Sequence, residues 1–205
     1  MNGVVSEQMT QHGIIYKQNY GVSVPRLREM AKQYPKNHDL ARRLWSLKIR
    51  ETMILATLLE PEDTFSFELA FEMLEDIDQI ELVEQACMNL FCKSPDAVKI
   101  CRVLVKSNRF WEQIAGFTLS ARIAEKLNDK ETKSIVSDAI EKSTIENLHL
   151  YKAIALSLSR LSRRGKETAD FIMKVIEPLS YSNNVGQQYI SHEVKEEISF
   201  LMHLF

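Results

Sequence analysis

Apolar residues recur along this chain at intervals of three and four, and short polar joints separate the runs. Leu40, Leu44 and Leu47 step along one helix face. Local punctuation agrees with this period. "SVPRLREMAKQY" places Pro25 in a first turn, where a missing N–H goes unnoticed. "KNHDLARRLWSL" predicts a helix starting near Asn37, and "IRETMILATLL" runs into Pro61, which predicts a stop just before it. "SPDAVKICRVLVKS" offers Ser94 as N-cap and Pro95 at the first helical position. "NDKE" at 128–131 and "STIE" at 143–146 both fit a capping box. No segment alternates with period two between turn signals. The pattern predicts roughly a dozen helices of about 10–18 residues in about six antiparallel pairs, the length scale of a helical solenoid. A single helical bundle is the alternative. "PLSYSNNVGQQ" (178–188) is the one obvious break, and a last helix from about Tyr189 is expected to cap the array.

Composition narrows the classes. Six Gly and five Pro in 205 residues are too few for the turns of an all-β fold. Cys87, Cys92 and Cys101 are odd in number and form no C-x-x-C pair, as expected of reduced thiols in a cytoplasmic protein. The five histidines are scattered, so neither a metal site nor an organic cofactor is expected. "MNGVVSEQMTQHG" lacks the basic-then-apolar layout of a secretion signal, and no apolar run is long enough for a membrane span.

The formal net charge of -2 conceals segregation. Arg26 to Arg50 holds eight Lys/Arg against two acids, whereas Glu60 to Cys92 holds ten carboxylates and no Lys or Arg. Glu81 and Glu84 close that acidic run, and Glu81 with the carboxylates before it is expected on a solvated face. Lys99, Arg102, Lys106 and Arg109 step by three and four, forming one basic stripe. Lys152, Arg160, Arg163 and Arg164 form another, extended by Lys166, with Leu156 on the line between Lys152 and Arg160. Amphipathic helices always have polar faces, and these could simply be basic ones. Alternatively, the stripes align in one surface that tracks phosphates.

Residues 20–61, "YGVSVPRLREMAKQYPKNHDLARRLWSLKIRETMILATLLEP", resemble the N-terminal half of the AlkD-like DNA alkylation repair proteins. The points of similarity are a Gly-Val-x-x-Pro opening, a Leu-Arg-x-x-Ala-Lys helix, a Leu-Ala-x-x-Leu-Trp helix, and a joint leading to Glu51. Weaker similarity continues to about Arg164. The resemblance implies an all-α, HEAT-like or armadillo-type α-α superhelix over 1–205 as a single domain, with 1–178 the main array and 189–205 the capping helix. Active members of the family are DNA glycosylases that release cationic alkylated purines. They are thought to hold the duplex in a basic concave groove, without flipping the base into a pocket. A carboxylate stabilises positive charge on the sugar, tryptophans contact the lesion, and an Arg grips phosphate.

Position by position, the family's Trp-Asp-x-x-Asp element falls on "IELVE" (80–84). Ile80 stands where a Trp is expected, and Glu84 where the catalytic Asp is expected. The Trp-x-x-Arg-x-Ala element falls on "FWEQIA" (110–115), with Phe110 an aromatic substitute and Gln113 replacing the Arg. The Lys-x-x-x-Trp element falls on "KAIAL" (152–156), with Lys152 kept and Leu156 replacing the Trp. Arg50 stands where a His is usual. A glutamate in place of aspartate moves the charge by roughly 1.5 Å, and such misplacement commonly costs about 100-fold in rate.

The resemblance with these substitutions implies a protein that binds double-stranded DNA through its backbone, without sequence specificity, and with family-type excision weak or lost. The expected contacts are Lys48, Arg50, Lys99, Arg102, Lys106, Lys152, Arg160, Arg163, Arg164 and Lys166. Two alternatives stand beside it. One is a glycosylase of altered substrate using Glu84; the other is a HEAT-like scaffold for a protein partner.

Overall fold

A computed structural model describes Tyr16 and residues 18–202. The N-terminal stretch read for a secretion signal lies outside the described residues, as do the last three residues of the expected capping helix. Among the described residues there are helices and no strands. Their contacts group into two units, one ending at Asp96 and one beginning at Ala97.

The first unit contains α1 (Val24–Ala31), α2 (His38–Ser46), α3 (Arg50–Leu59), α4 (Phe67–Glu75) and α5 (Ile80–Asn89). Asn37 caps α2 by accepting from the Leu40 amide at 2.8 Å, as its sequence position predicts. α3 ends at Leu59, two residues before Pro61, and packs against α1, α2 and α5. Ile54 and Met53 of α3 are buried with Leu82, Val83 and Ala86 of α5. The Phe65 and Phe91 rings stack at 5.4 Å. Ser94 does not cap the next helix directly. Its hydroxyl donates to the Phe65 carbonyl at 2.6 Å and accepts from the Asp96 amide, so the helix starts later, at Ala97.

The second unit contains α6 (Ala97–Leu104), α7 (Phe110–Arg122), α8 (Asp129–Lys142), α9 (Leu148–Ser162), α10 (Lys166–Ile176) and α11 (Val185–Met202). Helices α7, α9 and α11 lie side by side in one row; α6 packs on α7, α8 on α9, and α10 on both α9 and α11. The row is close-packed because its contact residues are small: the Ser120 and Ser157 hydroxyls meet at 2.6 Å, fully buried, between α7 and α9. Asn128 and Glu131 form the expected capping box on α8. "STIE" does not form one. Ser143 ends α8, and Asn147 caps α9 through the His149 and Leu150 amides. The 178–188 break is also shorter than expected. A 3-10 turn occupies Glu177–Tyr181, and α11 starts at Val185, four residues before Tyr189, with Asn184 accepting from the Gln187 amide just ahead of it.

One close approach in this unit makes a measurable demand. A Cβ on Gly116 would lie 2.5 Å from the Val105 backbone nitrogen and 2.7 Å from the Leu104 carbonyl carbon. Backbone cannot yield there as a flexible side chain would. Gly116→Ala is therefore expected to destabilise by about 2 kcal/mol through overpacking, although alanine's helix propensity favours it by about 1 kcal/mol. Urea unfolding checks this; a variant as stable as the parent would contradict it.

Candidate nucleic-acid interface

Sequence places the candidate carboxylate in the first turns of α5, and the structure separates its two glutamates. Glu84 is exposed, and Ile80, one turn earlier, is half-exposed. Val83 and Ala86 face the core, so α5 presents Glu84 outward by ordinary amphipathic geometry. Glu81 is not part of a solvated face, contrary to expectation. Its two carboxylate oxygens accept from Arg50 Nε at 2.7 Å and Nη2 at 2.6 Å, a bidentate pair, and Tyr16 donates its hydroxyl at 3.1 Å.

Arg50 is also corrected. Expected to contact phosphate, it is 1% exposed. Besides Glu81, its guanidinium donates to the Val22 carbonyl at 2.8 Å and to Glu51 at 3.1 Å. Burial works against its charge, but the two carboxylates outweigh that and hold its pKa above the ordinary value. Glu51 completes the clasp by accepting from the Tyr20 and Val22 amides, each at 3.1 Å. Gly21, between them, has φ 71°, a conformation that turns both flanking amides toward one carboxylate. The Gly-Val opening of the sequence thus reads as the partner of Glu51. The Tyr16 phenol is pushed up by burial and by Glu81, so it stays a donor. Lys48 remains at the surface, but it pairs with Asp76 and lies 6.0 Å from the centre of the Trp45 ring.

In the second unit the two basic stripes belong to different layers. Lys152, Arg160 and Arg163 are on α9, within the α7–α9–α11 row. Lys99 and Arg102 are on α6, which packs on α7 from outside that row; Lys106 and Arg109 follow in the joint. All of these side chains are exposed. The stripes therefore do not share one row of helices, contrary to the expected alignment. The reason is parity. Helices six and nine differ by an odd number, and antiparallel pairing sends odd-separated helices to opposite layers.

Arg109 pairs with the buried Glu112 at 2.8 Å. Gln113, where the resemblance implies an arginine, is 4% exposed and donates to the Ser107 carbonyl at 2.9 Å. It is part of the joint and faces inward. Phe110 packs edge-on against Trp111 at 4.8 Å and is half-exposed.

Along α9, Lys152 and Arg160 are exposed and make no ion pair among the described residues. Arg163 pairs with Glu197 of α11 at 2.6 Å. Arg164 is turned back onto the start of α8, donating to Thr132 at 2.5 Å and Asp129 at 3.3 Å, with 16% of its side chain exposed. It ties two helices together and leaves little charge for a ligand. Lys166, the first residue of α10, is exposed. Leu156, where the resemblance implies a tryptophan, is 41% exposed on the same face as Lys152.

This face borders a hollow of about 290 Å³ between α9 and α11, with Tyr189, Glu193 and Glu197 forming the second wall. Those three step by four, a signal the sequence carried. It is a mixed aromatic and acidic stripe, which a search for basic residues passes over. Charge also divides by unit: residues 1–96 hold ten Lys/Arg against fifteen Asp/Glu, whereas 97–205 hold sixteen against thirteen.

A family model described as DNA alkylation repair enzyme matches residues 4–185. The chain belongs to this family. No curated protein matches it. Among solved structures, it is similar to one described as a new family of proteins related to the HEAT-like repeat DNA glycosylases with affinity for branched DNA structures. The TM-score is 0.79 at 11% identity, over 95% of this chain and 89% of the other. The fold is therefore an all-α HEAT-like repeat fold. The resemblance implies tryptophans at 80 and 156 and an arginine at 113. Ile80 and Leu156 are aliphatic and at least partly exposed, and Gln113 is neutral and internal. Among the described residues no cluster of His, Cys, Asp or Glu could hold a metal ion, and no helix is long and apolar enough to cross a membrane.

Proposed function

We propose that this member of the DNA alkylation repair family binds the DNA backbone through the α9 face of its second unit and has weak or no family-type excision activity. The observation that carries the binding half is the exposed Lys152 and Arg160 pair beside Leu156, in the unit with the basic excess. Contacts of this kind are indifferent to base sequence and steeply dependent on salt. Lys166 is exposed at the start of α10 and borders a different hollow, with Asp129, Thr132 and Lys133. The stripe of Lys99, Arg102 and Lys106, on and just after α6, is a second basic surface outside the α7–α9–α11 row, suited to a neighbouring stretch of DNA. Arg50 and Arg164 are assigned to the fold instead. Affinity for branched DNA, attributed to the structural neighbour, fits a protein that recognises DNA form without excising a base.

Loss of excision follows from what surrounds Glu84. Without an aromatic at 80 or 156, the cation–π attraction those two positions would offer a cationic purine is missing. Without a guanidinium at 113, the charged bidentate grip on phosphate is missing. A carboxylate alone supplies little of the electrostatic preorganisation such a cleavage needs. Purified protein is expected to release alkylated purines from DNA no faster than the spontaneous rate, and Glu84→Gln is expected to leave that rate unchanged. Release above background that disappears in Glu84→Gln would instead establish the altered-substrate glycosylase. If a short duplex is not bound at about 50 mM salt, the DNA reading falls. The scaffold reading then takes its place, with the cleft of about 260 Å³ lined by Trp45, Phe65 and Met73 as the surface to test.

A further inference from the structure

The hollow between α9 and α11 has a composition that backbone binding alone does not account for. On its α9 wall, Lys152, Leu156 and Arg160 repeat at four-residue spacing. On its α11 wall, Tyr189, Glu193 and Glu197 do the same. A surface for phosphates alone gains nothing from two carboxylates, because like charges repel at this range. Glu197 is answered by Arg163 at 2.6 Å, which leaves Glu193 beside Tyr189 as the acidic group facing the hollow. Burial and Glu193 both raise the Tyr189 phenol, consistent with the two being neighbours. The family match ends at residue 185, where α11 begins, so the acidic wall is a feature of this chain outside the matched region.

Cations, carboxylates and flat or aliphatic apolar groups in one small hollow match a ligand that has all the complementary parts. A nucleotide has them: an anionic phosphate, a flat base, and on three of the four DNA bases an exocyclic amino donor. A base inside a duplex cannot present that face, whereas one at a gap or branch can. At about 290 Å³ the hollow is at the small end of ligand sites and has no room for a duplex.

We propose that this hollow takes one unpaired nucleotide at a gap or branch in DNA, with its phosphate on Lys152 and Arg160, its base against Tyr189 and Leu156, and its amino group donating to Glu193. This rests on the DNA-backbone reading above and deepens it. Carboxylates accept well from the cytosine amino group, and thymine has none, so the site prefers dC over dT.

The test is fluorescence anisotropy with labelled DNA of one length: a continuous duplex, and the same duplex with a short single-stranded gap of dC or of dT. The dC gap is expected to bind about 10-fold more tightly than the continuous duplex, as one stacked base would confer. It should bind about 5-fold more tightly than the dT gap, as one base-edge hydrogen bond would confer. Tyr189→Ala should bring the gapped probes down to the affinity of the continuous duplex, and Tyr189→Phe should retain the preference. Glu193→Gln, a surface change that tests the same contact without risk to the fold, should erase the difference between dC and dT. Equal affinity for gapped and continuous duplex overturns the nucleotide site while leaving the backbone reading intact. So does a gap preference that survives Tyr189→Ala. Failure to bind any of the probes overturns both.

Discussion

Arg50→Met is expected to destabilise the protein by about 3–5 kcal/mol, because it breaks a buried ion pair from one side. The methionine fills much of the volume, but it leaves Glu51 and Glu81 facing each other without their cation. Glu51 is 4% exposed and cannot recover hydration, and Glu81 loses both bonds of its bidentate contact. The Val22 carbonyl loses its donor as well. For a protein of this size the melting temperature should fall by about 10 °C or more. Thermal unfolding followed by circular dichroism reads this directly. A loss below about 1 kcal/mol, the range of a surface pair, would mean the clasp is not the closed group described. Arg50→Met combined with Glu81→Leu should be less damaged than Arg50→Met alone, since removing both charges leaves less to desolvate. In DNA binding the single variant should lose only what unfolding takes from it.

Lys152→Ala with Arg160→Ala is expected to weaken duplex binding at low salt by about 10- to 100-fold. The plot of log affinity against log salt should become shallower by about 2, one unit for each phosphate contact removed. The slope matters more than the affinity, because a folding defect lowers active protein without changing the number of ions released. Lys99→Ala with Arg102→Ala is the comparison. If that pair carries the slope change and the α9 pair does not, the DNA lies on the α6 surface and the hollow between α9 and α11 loses its role with it.

Fold class was legible because it depends on local regularities. Asn37, Asn128 with Glu131, and Pro61 mark helix limits by chemistry within four residues of themselves, and each acts where its position predicts. "STIE" misled for an equally local reason: Ser143 satisfies its hydroxyl inside α8, on the Ile140 carbonyl, and Asn147 is the better cap. The site was less legible because its pairings are distant. Nothing near Arg50 in sequence reveals that Glu81, thirty-one positions on, will neutralise it. Gln113 reads as a lost charge, yet its inward hydrogen bond to Ser107 could be known only once the joint had folded. The stripes of α6 and α9 are a different case. Each is plain in sequence, and counting the helices between them would have put them on opposite layers.

The chain has two tryptophans, and the fold distributes them one to each unit. Trp45 is nearly buried, its indole N–H donating to Asp76 at 2.8 Å. Trp111 sits edge-on to Phe110 in the other unit. Replacing either with phenylalanine leaves a protein whose intrinsic emission reports on one unit alone. Comparing the two melting curves would reveal whether the halves of this chain come apart in a single cooperative event or in sequence.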